Sequence, residues 1–171
     1  MRVFFLIFFL CMMLFSAEIE FDTLKSKFAQ TITSLEGSKI DYSGEIYIKA
    51  PTDVLWIYKE PTLKKIFVNS QRILSYEPIL EQATIINIDE TNSLTEILSS
   101  AKKTDSNNYI TNIDGIEYTI ELDKNSLPST ISYSDKLKNS VTITFLNPQA
   151  DVDINSSVFN PSLPQGTDII R

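Results

Sequence analysis

The spacing of apolar residues changes along this chain, and each change marks an element. Phe21, Leu24, Phe28, Ile32 and Leu35 recur at intervals of three and four with Gly37 just beyond, which predicts an amphipathic helix over 21–35 with a glycine stop. The period then becomes two. Ile40, Tyr42, Gly44, Ile46, Ile48 and Ala50 alternate with Asp41, Ser43, Glu45, Tyr47 and Lys49, as in a strand with one apolar face. Gly44, in mid-strand, predicts a bend or bulge.

Short strands follow at 53–59, 63–69, 72–77 and 82–88, separated by Pro61, the Asn69-Ser70 turn and Pro78. Another group falls at 108–113, 116–123, 128–134 and 140–146, its first pair joined through Asp114-Gly115, a strong hairpin signal. Between the groups, 93–102 opens with Ser93 and Glu96, the spacing of a capping box. Leu94, Ile97, Leu98 and Ala101 then form one helical stripe. Nothing repeats at a fixed period and no linker divides the chain, so the pattern is an antiparallel meander with helices. One stretch resists the pattern: in 73–85, Glu77, Pro78, Glu81 and Gln82 interrupt a strongly apolar run.

Residues 1–17 carry one cation, a long apolar run and a small-residue end, the signature of a secretory signal peptide. The run from Val3 to Phe15 is too short to cross roughly 30 Å of hydrocarbon as a helix. The expected organisation is therefore a leader over 1–17 and one domain over 18–171. Cys11, the single cysteine, falls inside the leader, and the chain has no histidine. Thiol chemistry, cysteine metal sites and histidine-assisted nucleophiles are thereby excluded from the expected mature domain. A net charge of −7 disfavours nucleic acid and electrostatic adhesion to anionic lipid. With four glycines there is no phosphate loop. The acidic pairs Glu20/Asp22 and Asp151/Asp153 sit in alternating patterns that read as solvated faces, so no catalytic pair, metal or cofactor is expected.

The run from Gly44 to Thr84, "GEIYIKAPTDVLWIYKEPTLKKIFVNSQRILSYEPILEQAT", resembles the signature region of the LolA family of periplasmic outer-membrane lipoprotein carriers. The matching positions are Gly44, Lys49, Pro51, Trp56, Pro61, Asn69, Ser70, Tyr76, Pro78 and Gln82. The ending, with Phe159 before Pro164-Gln165-Gly166, is similar as well. The resemblance implies an α+β fold: a half-open antiparallel barrel with an apolar concave face, lidded by helices. It places Pro78 at a corner between strands and Glu81 and Gln82 at a rim. It also implies a non-enzymatic, monomeric periplasmic chaperone that takes lipoproteins by their acyl chains from an inner-membrane releasing transporter to an outer-membrane acceptor. The expected lipid-binding residues are Ile46, Ile48, Ala50, Val54, Trp56, Leu94, Ile97 and Leu98. Where the family has a lid-closing arginine this chain has Ala50, so closure falls to packing or to another polar group, Lys49 or Arg72. The competing readings are an outer-membrane lipoprotein receptor of the same fold and an exported β-rich adhesion or assembly module with a filled core.

Overall fold

The computed structural model describes residues 19–87, 94–105 and 107–171. The expected leader and Ser93 of the capping box lie outside the described residues. The chain forms one 12-stranded sheet: β1 (Thr23–Thr33), β2 (Lys39–Lys49), β3 (Asp53–Glu60), β4 (Lys64–Val68), β5 (Arg72–Glu77), β6 (Gln82–Asn87), β7 (Lys102–Lys103), β8 (Asn108–Ile113), β9 (Ile116–Leu122), β10 (Pro128–Ser134), β11 (Ser140–Ala150) and β12 (Asp168–Ile170). Its order is β12-β6-β5-β4-β3-β2-β1-β11-β10-β9-β8-β7, so β1 and β11 meet at the middle and both edges stay open. Every pairing is antiparallel except β12 on β6.

The expected helix over 21–35 is instead strand β1. Leu24, Phe28 and Ile32 are four apart, and four is both about one helical turn and two full strand alternations. The tie is broken by what lies between: Ser26 and Gln30 share the buried face while Lys25, Lys27 and Ala29 are exposed. Gly37, at φ +87°, is not a helix stop but part of the β1–β2 hairpin turn, where its N–H donates to the Ser34 carbonyl. The fold is therefore mostly sheet rather than α+β. Among the described residues the one α-helix is α1 (Leu94–Ser99), shorter than the expected 93–102 because Lys102 and Lys103 pair with β8.

The second group of strands turns on aspartates. Asp123 Oδ1 accepts from the Asn125 and Leu127 N–H groups, and Asp135 Oδ1 from those of Leu137 and Asn139, an arrangement that replaces the missing ladder bonds at each reversal. Pro78 starts a single 3₁₀ turn, Pro78–Leu80, at the corner between β5 and β6. Glu81 is left-handed there, and its carbonyl accepts from the Asp168 N–H as β12 joins β6 beside Gln82. The polar interruption in 73–85 is thus a corner followed by the docking edge for β12.

One face of the sheet carries a continuous core drawn from β1, β2, β3, β8, β9, β10, β11 and α1: Leu24, Phe28, Ile46, Ile48, Ile120 and Ile131 are its most deeply buried members. The other face carries a smaller cluster of Leu74, Tyr76 and Ala83, against which Phe67, Ile85 and Leu163 of the C-terminal segment pack. Curvature is visible in Tyr58 of β3 and Tyr133 of β10, near enough for one phenol to disfavour ionisation of the other. Four strand spacings, roughly 19 Å on a flat sheet, separate those strands.

Gly44 makes the bend possible. The β2–β3 register shifts between Ser43 and Gly44, a bulge, and a Cβ at Gly44 would overlap the Ile57 carbonyl and come within 2.9 Å of Phe28 Cε1. Gly44→Ala should therefore cost about 3 kcal/mol or more. Gly115→Ala, in open space but at φ +77°, should cost nearer 1 kcal/mol. Urea denaturation of the two variants checks the difference, and equal losses would remove the packing role of Gly44.

Candidate functional site

Strand register builds the site as rows across the concave face. One row runs Phe145, Phe28, Gly44, Tyr58. Because Gly44 has no side chain, the Phe28 ring leans over it and meets Trp56 edge-on at 4.9 Å and Tyr58 at 5.1 Å, while Tyr42 meets Tyr58 at 5.7 Å. The next row runs Tyr109, Ile120, Ile131, Ile143, Gln30, Tyr42. A glutamine thus stands in the middle of an apolar row, and the Tyr58 hydroxyl donates to its Oε1 at 3.1 Å.

Beyond these aromatics the face is not filled. A cavity of about 370 Å³ lies over β1–β5, lined by Gln30, Ile32, Tyr42, Tyr58 and Ile66, with Pro61, Thr62, Lys64 and Glu77 around it. Lys64 and Glu77 form an ion pair at 3.4 Å beside it. A second, larger cleft of about 460 Å³ separates the helix residues Thr95, Leu98 and Ser99 from Ala50 and Pro51, with Ile19, Phe21 and the carboxylates Glu20, Asp22 and Asp151 completing its walls.

Ile46, Ile48, Val54, Leu94, Ile97 and Leu98 are buried together in the concave core, and half-buried Trp56 packs against it. Ala50 is exposed and stands across the second cleft from the helix. Lys49 does not reach that cleft: its Nζ donates to Ser156 Oγ at 2.7 Å. Arg72, exposed at the start of β5, is not among the cleft residues either. Ile46, Ile48, Val54, Leu94 and Ile97 are core, Leu98 and Ala50 also border the second cleft, and the cavity over β1–β5 is lined by Gln30, Ile32, Tyr42, Tyr58 and Ile66, none of them among the expected lipid-binding residues. Parity held the signal for Tyr42 and Tyr58, which share a face with Ile46 and Trp56. Gln30 and Ile32 were hidden by the helical reading of 21–35. No group of acidic, histidine or cysteine side chains among the described residues is arranged to hold a metal.

The profile of the family described as "Outer membrane lipoprotein carrier protein LolA" matches residues 20–162. The "Outer-membrane lipoprotein carrier protein" of Campylobacter jejuni subsp. jejuni is 35% identical over 172 residues, covering 100% of both chains. The protein of the same description from Helicobacter hepaticus is 33% identical, over 95% of this chain and 90% of its own. Among solved structures, an uncharacterized conserved protein from Thermus thermophilus superposes with a TM-score of 0.56 at 10% identity, over 90% of this chain and 92% of that one. At that identity the likeness speaks to the fold alone.

The phenols of the site report its dryness. Burial, then the neighbouring Tyr118 and Asp135, pushes Tyr133 up to about 12, and burial, then Tyr133 and Tyr42, pushes Tyr58 higher still. An unfolded phenol ionises near 10, so the folded state holds these groups neutral where the unfolded state would release protons. Their contribution to stability is complete below about pH 10 and lost as pH climbs through 12. The urea midpoint should therefore be flat between about pH 8 and 9.5 and fall between about 10 and 12. Tyr133→Phe should make the fall shallower, and an unchanged slope would show that phenol to be already solvated.

Proposed function

The chain belongs to the LolA family of outer membrane lipoprotein carrier proteins, and on that premise we propose that it shelters the acyl chains of its cargo in the cavity on the concave face. It is a periplasmic carrier chaperone for lipoproteins bound for the outer membrane. Its family works without covalent chemistry. The finer reading has residues 1–17 as a removable leader and the mature chain as a monomer. An inner-membrane releasing transporter loads it, and an acceptor at the outer membrane unloads it.

The observation that carries the acyl site is the continuity of core and cavity. Tyr58 packs against the filled core through Phe28 and Trp56 and also lines the open volume, so an acyl chain entering there meets an aromatic surface already anchored to the core. Burying ten methylenes is worth about 8 kcal/mol. A carrier must match most of that and still release, which favours a part-filled cavity over a preformed tight one. Ile66, Ile32, Tyr42 and Tyr58 line the cavity, backed by Trp56 and by the buried core residues Ile46, Ile48 and Val54. The helix α1, through Leu94, Ile97 and Leu98, acts as the movable wall of a half-open barrel, and the cleft between it and Ala50 is the seam along which it parts. Alanine at that seam supplies no side-chain donor to hold the helix down, so closure rests on packing of the apolar stripe.

The test uses residues 18–171 and a fluorescent diacyl lipid, with Trp56, the chain's single tryptophan, as an internal reporter. Loading should shift the Trp56 emission. Trp56→Ala should weaken binding at least tenfold while costing less than the ~3–5 kcal/mol typical of a fully buried aromatic. A loss of stability with unchanged affinity would make Trp56 core alone. A cleavable cross-linker between cysteines introduced at Ala50 and Ser99 should block loading, and cleavage should restore it. Undiminished loading in the linked protein rules out α1 as the moving wall.

A further inference from the structure

Gln30 is the one long polar side chain in a row of Tyr109, Ile120, Ile131, Ile143 and Tyr42, and it is only 8% exposed. A buried amide offers one acceptor and two N–H donors. The acceptor is taken, because the Tyr58 hydroxyl donates to Oε1 at 3.1 Å. With Oε1 turned to the phenol, Nε2 is the remaining polar end of the amide, and Gln30 is also a wall of the 370 Å³ cavity. Among the described residues its Nε2 donates to no side chain or carbonyl.

We propose that the Gln30 amide N–H is the donor that seats the carbonyl of a bound acyl linkage, so that the cavity recognises an acyl ester or amide and not hydrocarbon alone. The inference rests on the acyl site argued above and assigns its polar point. When the cavity is empty, water satisfies Nε2. A ligand that displaces this water must either supply an acceptor or leave a buried donor unpaired, and an unpaired buried donor costs about 1–3 kcal/mol. Among the groups of a lipid-modified protein, the ester and amide carbonyls of the acyl linkages are the acceptors that stay attached to the chain itself. The site's layout suits that role. Ile32 and Ile66 are apolar walls on either side of Tyr42 and Tyr58, and the Lys64–Glu77 pair marks the polar rim toward which the rest of the cargo leaves.

The experiment compares three single-chain probes of equal length: an acylglycerol ester, the N-acyl amide and the alkyl glyceryl ether, which lacks the carbonyl. Each is titrated against residues 18–171 by displacement of the fluorescent diacyl lipid. The ester or the amide should bind about tenfold more tightly than the ether, the size expected for one donor gained rather than left unpaired. In Gln30→Met, which keeps length and removes the donors, that ratio should collapse to about one, chiefly because the ether binds better. Tyr58→Phe, which keeps the ring and frees the amide to turn, should lower the ratio too and serves if Gln30→Met does not fold. Whichever of ester and amide keeps the advantage identifies the linkage read. Equal affinity of all three for the unsubstituted protein, or a ratio that survives both substitutions, overturns the assignment of Gln30 alone. Failure of every probe to bind overturns it together with the acyl site.

Discussion

The absence of a side chain at Gly44 is the constraint on which the working face depends. The Ile57 carbonyl and the Phe28 ring both occupy the volume that a Cβ would take. Because they do, β2 and β3 slip register there, and Phe28 tips into edge contact with Trp56 and Tyr58. The bulge therefore both bends the sheet and sets the aromatic contacts of Phe28.

Two opposite demands meet on the concave face. A domain of this size needs a continuous core to fold, and the rows from Phe145 to Phe28 and from Tyr109 to Ile143 provide it. A lipid carrier also needs apolar surface with no partner, a liability in a soluble protein. The structure separates the demands along the sheet rather than across it: β8–β11 and the ends of β2 and β3 are packed under α1, and the region over Tyr42, Tyr58 and Ile66 is left hollow. On the opposite face Leu163 packs on the smaller cluster of Leu74, Tyr76 and Ala83, and β12 pairs with β6 at the sheet edge. The C-terminal segment thus closes apolar surface that would otherwise compete with the cavity.

Strands β2, β3, β5, β6 and β8 through β11 were legible from alternation and turn residues because each has a buried and a less buried face, which is what period two records, whereas β4 is half-buried throughout and was marked by the turns on either side of it. The strand β1 was not legible. Its apolar residues are spaced by four, and its buried polar members Ser26 and Gln30 hid the alternation. The same ambiguity concealed the wall residues Gln30 and Ile32, so the part of the site that faces open volume was the part least visible. Helix α1 was located by its stripe, but its end was set by Lys102 and Lys103 pairing with β8, a contact between segments that no local pattern carries. Short edge strands such as β7 and β12 have too few residues to express a period at all.

By itself the sequence determined the family, the antiparallel meander, the face on which Ile46, Ile48, Val54 and Trp56 lie, and the need for a bend at Gly44, since all of these follow from residue type and spacing within one strand or between neighbours. Tertiary structure decided which of those residues are filled core and which border empty volume. It also decided that β1 closes onto β11 to bring both halves of the chain into one sheet, and that Gln30 stands among aromatic and aliphatic neighbours with its oxygen held by Tyr58. The physical reason is that occupancy of a volume is set by side chains from strands far apart in the chain, and alternation along one strand reports only that a face is covered, not by what.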